Sequence, residues 1–268
     1  MAEFETLTID KQGRVALVTF RRSDQLNAMN RQMQGEILSA FEALSLDDSV
    51  GAIVVTGEGR GFMAGADIKE YAAQTGSEFD SFQKNGARMY AAIEDNCKPV
   101  IAAVNGFALG GGFELALCCD MVLAATGAKM GLPEIKLGLV PGGGGTQRSV
   151  AKLGRNRANY LLLTGAIVEA EAFVDCGLVQ EMVAAEELLP RAMTLAELIA
   201  AEPPEAIEGL KRLTALALDG DLAKGLSEER ALVTALYRSE IGQARVQAFA
   251  AKSAARAAEK AKARETDR

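Results

Sequence analysis

Apolar runs of strand length recur along this chain, and several lead through a glycine-rich turn into a helix-patterned stretch. Val50–Thr56 ends in the Gly57–Gly61 turn, and a helix is expected from about Asp67. Lys98–Asn105 carries Pro99 at its start, where a strand tolerates it, and runs through Gly110–Gly112 into a short helix around Phe113–Cys119. Met121–Ala125 precedes a second glycine cluster, Gly142–Gly145, and a helix over Gly145–Leu153. Val15–Phe20 is a further buried-strand run, and residues 4–9 alternate in the strand manner. Strands alternating with helices define an α/β core. No self-similar repeat of about 20–50 residues stands out.

Helical spacing marks other segments. Met33, Ile37, Leu38, Phe41 and Leu44 form an apolar stripe over about 30–44, with Asn30 as the N-cap. Further helices are expected over 79–95 and 156–163. From about 186 the pattern is wholly helical: Glu186–Ala201, Pro204–Leu218, Asp221–Tyr237 and from Ser239 onward. The tail places Lys252, Arg256, Lys260 and Arg264 at helical spacing. A solvated helix face explains it, and a basic stripe for a phosphorylated ligand or a neighbouring subunit is the alternative.

Composition removes whole classes of chemistry. The chain has no histidine, which excludes Ser-His-Asp hydrolases, Cys-His proteases and histidine-ligated zinc. A net charge of −7 argues against nucleic acid as the main partner. The four cysteines show no CxxC spacing and read as reduced and mostly buried. No secretory signal and no membrane-length apolar run is visible, so the expectation is a cytoplasmic protein with no membrane partner. No metal site and no cofactor is expected.

Three glycine-rich segments are candidates for chemistry. Gly59-Arg-Gly-Phe-Met-Ala64 formally matches a dinucleotide fingerprint, but no second strand follows at the required distance, so that reading fails. In Ala108-Leu-Gly-Gly-Gly-Phe-Glu114, three glycines before a helix leave its first N–H groups free for an anion, or simply make a tight turn. Glu114 falls in that helix's first turn, as a cap or as a functional carboxylate. Glu134 lies between Pro133 and Pro141 in a stretch that also carries Ile135, Leu137, Leu139 and Val140. Those four residues predict a packed loop, which would raise the pKa of Glu134 and suit it to general-acid work. A surface glutamate is the competing reading.

Taken jointly, these segments resemble the enoyl-CoA hydratase/isomerase (crotonase) superfamily. The resemblance rests on Leu26-Asn-Ala-Met-Asn30, Gly61–Glu70, Lys98–Ala116, Gly131–Gly138, Pro141–Arg148 and Leu163-Thr-Gly165, in the family's order from about residue 5 to 250. It implies an α/β fold: a ββα superhelix core over 1–195, then a helical C-terminal trimerisation region over 196–268. It implies an acyl-CoA substrate, with coenzyme A as part of that substrate, and a homotrimer or homohexamer. Carried over by position, the N–H groups of Ala66 and Gly111 form the oxyanion hole, Glu114 and Glu134 are the catalytic pair, and Gly142 positions water. Leu26, Ala64, Asp67, Ile68 and Lys69 are the substrate-binding positions. Both glutamates together favour hydration of a 2-enoyl-CoA, as in fatty acid β-oxidation or aromatic-acid degradation. An enoyl-CoA isomerase is the alternative, with a non-catalytic CoA- or RNA-binding member behind it. Gln25 stands where the family often carries Lys or Arg near the CoA phosphates, with Arg21 and Arg22 earlier. Met63 and Met130 are expected to shape the acyl pocket.

Overall fold

The computed structural model describes residues 4–218 and 220–252. The chain divides into two compact units, Met1–Pro204 and Glu205–Arg268. Within the first, one sheet contains β1 (Leu7–Gln12), β2 (Val15–Phe20), β3 (Ala52–Gly57), β5 (Val100–Val104), β7 (Met121–Ala125) and β10 (Glu181–Val183), paired in that order. All pairs are parallel except β1 with β2. The helices of this unit are α1 (Arg31–Ser45), α2 (Ile68–Ala73), α3 (Gly76–Glu94), α4 (Gly111–Cys118), α5 (Gly145–Leu153), α6 (Arg155–Thr164) and α7 (Ala185–Ala200). A parallel sheet has both faces covered, which is why these strands read as continuous apolar runs. Val15, Val54, Ile101 and Leu123 pack with Leu188, Ala192 and Ala196 of α7. Val18, Ile53, Val55 and Ala102 share the opposite core with Met33, Ile37 and Phe41 of α1 and with Met89 and Ile93 of α3.

A second sheet, unseen in the sequence, holds three-residue strands: β4 (Gly61–Met63), β6 (Phe107–Leu109), β8 (Lys129–Gly131) and β9 (Ile167–Glu169). β4, β6 and β8 pair in parallel, and β9 closes the sheet antiparallel to β8. Each follows closely on a strand of the large sheet, β3 to β4, β5 to β6 and β7 to β8. The chain thus repeats a long strand, a short strand and a helical segment without repeating its sequence. Three residues are too few to display an alternation period.

Several expected element starts are found. Asn30 caps α1 by accepting from the Met33 N–H at 2.9 Å. Asp67 caps α2, whereas α3 starts at Gly76 on a capping box of Thr75 with Glu78, ahead of the expected residue 79. Two further expectations are corrected. Ile135, Leu137, Leu139 and Val140 are exposed, and residues Pro133–Leu137 form a 3-10 helix rather than a packed loop. Met63 and Met130 are fully buried on β4 and β8 within the core, so they build the frame and do not line the cavity described below.

The second unit contains α8 (Pro204–Ala217), α9 (Leu222–Arg238, capped by Asp221) and helical residues 240–252. α8 and α9 approach closely: a Cβ on Gly209 would lie 2.4 Å from Leu232 Cδ2. The expected tail positions Arg256, Lys260 and Arg264 lie outside the described residues. No helix among the described residues is long and apolar enough to cross a membrane.

One buried side chain fastens the segment before α1 to the β3–β4 turn. Asn27 is fully buried with φ of 57°. Its Oδ1 accepts from the Arg22 N–H at 2.8 Å, and its Nδ2 donates to the carbonyls of Glu58 at 3.0 Å and Gly61 at 2.7 Å. Asn27→Ala strips these partners and leaves an alanine in a left-handed conformation. Its unfolding free energy in urea should drop by about 2–3 kcal/mol, and an unchanged midpoint would refute this role.

Candidate active site

The short strands β4, β6 and β8 lie side by side, and their carboxyl ends release Ala64–Ala66, Gly110–Gly111 and Pro133–Glu134 beside one another. The first of these segments is braced by residues 26–29. The Ala64 N–H donates to the Leu26 carbonyl at 3.0 Å. The Met29 N–H donates to the Gly65 carbonyl at 2.7 Å, and the Asp67 N–H donates to the Met29 carbonyl at 2.9 Å. These two bonds straddle Ala66, the parallel bridge partner of Met29. In such a bridge the straddled residue turns its own N–H to the opposite side. Gly111 is the first residue of α4, where an N–H has no intrahelical acceptor. Neither the Ala66 nor the Gly111 N–H has a protein acceptor among the described residues.

Gly110 lets the second segment approach the third. Its φ of 51° and ψ of −123° suit glycine, and its N–H donates to the Gly131 carbonyl at 2.9 Å. A Cβ there would lie 2.9 Å from Glu134 Oε1. The carboxylate of Glu134 therefore lies against the turn that opens α4. Gly112 is as constrained, because a Cβ would come 1.9 Å from the Met63 carbonyl oxygen. The start of α4 is thereby pressed onto β4.

Glu114, one turn into α4, is only 3% exposed. Its Oε1 accepts from the N–H of Gly143 at 2.7 Å and of Gly145 at 2.8 Å. Burial raises its pKa, and these two N–H groups and the Arg148 charge pull against that rise. Glu134 is half-buried, and its Oε2 has no hydrogen-bond partner. Burial, with a smaller contribution from the charge of Glu114, pushes Glu134 up to about 7. One carboxylate is thus held by donors, and the other is set to carry a proton near neutrality.

The glycine loop is clamped from its far side. Arg148 donates through Nη1 to the Gly143 carbonyl at 2.6 Å and through Nε to Glu94 Oε1 at 2.8 Å. Glu94 in turn holds the Arg148 charge at 2.5 Å and raises its pKa. With its carbonyl fixed by Arg148, Gly143 presents its N–H to Glu114. Tyr90, buried on α3, donates its hydroxyl to the Gly111 carbonyl at 3.0 Å, and its ring packs where a Gly143 Cβ would otherwise sit, 2.1 Å away. Burial and the Glu114 charge keep that phenol protonated.

The two N–H donors and the two carboxylates border one cavity of about 440 Å³, whose lining includes Ala66, Gly111, Glu114, Glu134 and Gly142. The sequence model of the enoyl-CoA hydratase/isomerase family matches residues 10–260. The chain belongs to that family. A probable enoyl-CoA hydratase of Rhizobium meliloti (strain 1021) is 41% identical over 250 residues, 93% of this chain and 96% of the relative. The crotonyl-CoA hydratase of Syntrophomonas wolfei is 38% identical over 227 residues, 84% of this chain and 87% of the relative. Among solved structures, an enoyl-CoA hydratase from Bacillus anthracis superposes with a TM-score of 0.89 at 31% identity, covering 92% of this chain and 97% of that one. The α/β architecture of the first unit is therefore the crotonase fold.

As a member of this family, the chain gathers most of its expected site residues and sets three aside. Ala64, Ala66, Ile68, Gly111, Glu114, Glu134 and Gly142 line the cavity. Leu26, Asp67 and Lys69 do not. Leu26 has a left-handed backbone and supports Ala64 through its carbonyl. Asp67 is engaged in capping α2 and in an ion pair with Arg22 at 2.9 Å, which lowers its pKa. Lys69 is exposed. Arg22 also bonds Gln25 and the Ala28 carbonyl, so this cation is committed to the Leu26–Met29 segment. Sequence reasoning missed Tyr90, Arg148, Gln34, Gln83 and the aromatic wall of Tyr71, Phe79 and Phe82. Only Arg148 carried a signal, a cation one turn after a glycine cluster.

The coupling between the two carboxylates is measurable. Glu114→Gln removes the charge that helps to raise Glu134. Carboxyl carbon NMR should then show Glu134 titrating lower than about 7. An unmoved titration would mean that the two carboxylates do not sense each other.

Proposed function

We propose that this chain is an enoyl-CoA hydratase, adding water reversibly across the 2,3 double bond of a 2-enoyl-CoA to give a 3-hydroxyacyl-CoA. The observation that carries this reading is the meeting, in one cavity, of two unused N–H donors and two carboxylates of different hydrogen-bonding status. The hydratase names of relatives covering most of the chain support it.

In this reading the thioester oxygen accepts from the N–H groups of Ala66 and Gly111. Each such donor contributes about 3–4 kcal/mol to stabilising the developing oxyanion. Glu114, with one oxygen held by Gly143 and Gly145, takes a proton from a water that Gly142 helps to orient. The water oxygen bonds to the β-carbon, and the π pair moves toward the α-carbon and the thioester. Glu134, protonated near neutrality, gives its proton to the α-carbon. Solvent exchange then restores both carboxyl groups, and the reverse sequence eliminates water. Ala64 and Ile68 contact the coenzyme A portion of the substrate, while Leu26 and Asp67 brace that segment from behind.

We further propose a homotrimer or homohexamer acting in the cytoplasm on β-oxidation intermediates. Leu222, Val233 and Tyr237 of the second unit are exposed apolar residues that suit self-association. Sedimentation equilibrium returning a monomer at micromolar concentration would overturn that assembly.

With crotonyl-CoA, loss of the enoyl absorbance should accompany formation of 3-hydroxybutyryl-CoA. Glu114→Gln and Glu134→Gln should each lower kcat by about 10²–10⁴-fold while keeping the wild-type circular dichroism. Wild-type turnover in both variants would sink the assignment, and a shifted double bond without a hydroxyacyl product would indicate isomerisation instead.

A further inference from the structure

The cavity wall holds a polar group that hydration does not use. Gln34 falls in the buried stripe of α1, beside Met33 and Ile37, and is 1% exposed. Neither its Oε1 nor its Nε2 has a hydrogen-bond partner among the described residues. Gln34 lines the same cavity as the two glutamates. Its place relative to the thioester donors follows from Tyr90. The Tyr90 hydroxyl bonds the Gly111 carbonyl at 3.0 Å. A Cβ on Gly86 would lie 4.0 Å from Tyr90 Cε2 and 2.9 Å from Gln34 Nε2. The tyrosine ring thus runs from the Gly111 end toward the Gly86–Gln34 corner. Gln34 therefore lines the cavity beside Gly86, with Phe82 and Tyr90 also in the lining, and in the hydratase reading this wall is one that the acyl chain would meet.

An alkyl chain would be met best by leucine or methionine at that corner. A buried amide without partners destabilises the protein that carries it. A wall containing such a group discriminates strongly for ligands that satisfy it and against analogues that cannot. The amide offers one acceptor and a donor pair. A hydroxyl satisfies both, donating to Oε1 and accepting from Nε2. A carboxylate only accepts, and it would join Glu114 and Glu134 in a cavity whose one lining cation among the described residues, Lys136, is exposed on the 3-10 helix.

We propose that Gln34 is a specificity residue selecting 2-enoyl-CoA substrates whose acyl chain carries a neutral hydroxyl group. This rests on the hydratase reading. The test compares kcat/KM of the full chain for 2-hexenoyl-CoA, its 6-hydroxy derivative and the six-carbon analogue with a terminal carboxylate. The wild-type protein should favour the hydroxylated substrate over both others by about tenfold or more. Gln34→Leu should abolish that preference and improve KM for the plain alkyl substrate. Its Tm without ligand should equal or exceed the wild-type value, because the unpaired amide is gone. Hydration with a substrate ratio that Gln34→Leu leaves unchanged overturns this inference alone, as does a wild-type preference for the alkyl or carboxylate substrate. A lowered Tm would show Gln34 to be a structural group and would also overturn it. Absence of hydration with all three substrates and with crotonyl-CoA overturns the hydratase reading, and the inference with it.

Discussion

Parallel pairing of three very short strands is the constraint on which this site depends. β4, β6 and β8 contribute three residues each, yet their register brings three distant loops to a common end. The Gly110 N–H bond to Gly131 extends the β6–β8 ladder to the mouth of α4. The Met29–Ala66 bridge adds residues 26–29 to the other side. The large sheet and its helices keep these strands in register, because each short strand is anchored by the long strand before it. The buried methionines of β4 and β8 serve this frame.

Electrostatics then divides the two carboxylates. They line one cavity, but the backbone treats them differently. Glu114 receives two N–H groups from a loop that Arg148 and Glu94 hold in place. Glu134 has one oxygen buried with no partner and senses the charge of Glu114. Hydrogen bonds to the charged form favour ionisation, and desolvation opposes it. A single backbone loop, tied down from outside the cavity, is therefore enough to separate a hydrogen-bonded carboxylate from one poised to carry a proton.

Much of this was legible in the sequence. The long strands declared themselves because burial on both faces leaves uninterrupted apolar runs, and α1 and α5 because their stripes and starts are regular. The glutamates and glycines became readable only as a set in fixed order, since each alone has a structural explanation. The small sheet could not be seen, because its strands are shorter than any measurable period. The apolar residues after Glu134 misled: they flank an open cavity instead of packing in a loop. Gln34 and Tyr90 were hidden among helix positions that read as core. Asp67, expected among the substrate-binding positions, caps α2 and pairs with Arg22, a partner that sequence distance conceals.

The pair of N–H groups on Ala66 and Gly111 has an evolutionary consequence. Both belong to the main chain, and their directions are set by sheet register and a helix start, so point substitution of either side chain, to proline apart, removes neither donor. Glu114, Glu134, Gln34 and the aromatic wall are side chains and can change one codon at a time. Descendants of such a chain would inherit the grip on a carbonyl almost automatically. Which proton moves, and which acyl group is admitted, would be the traits open to drift and selection.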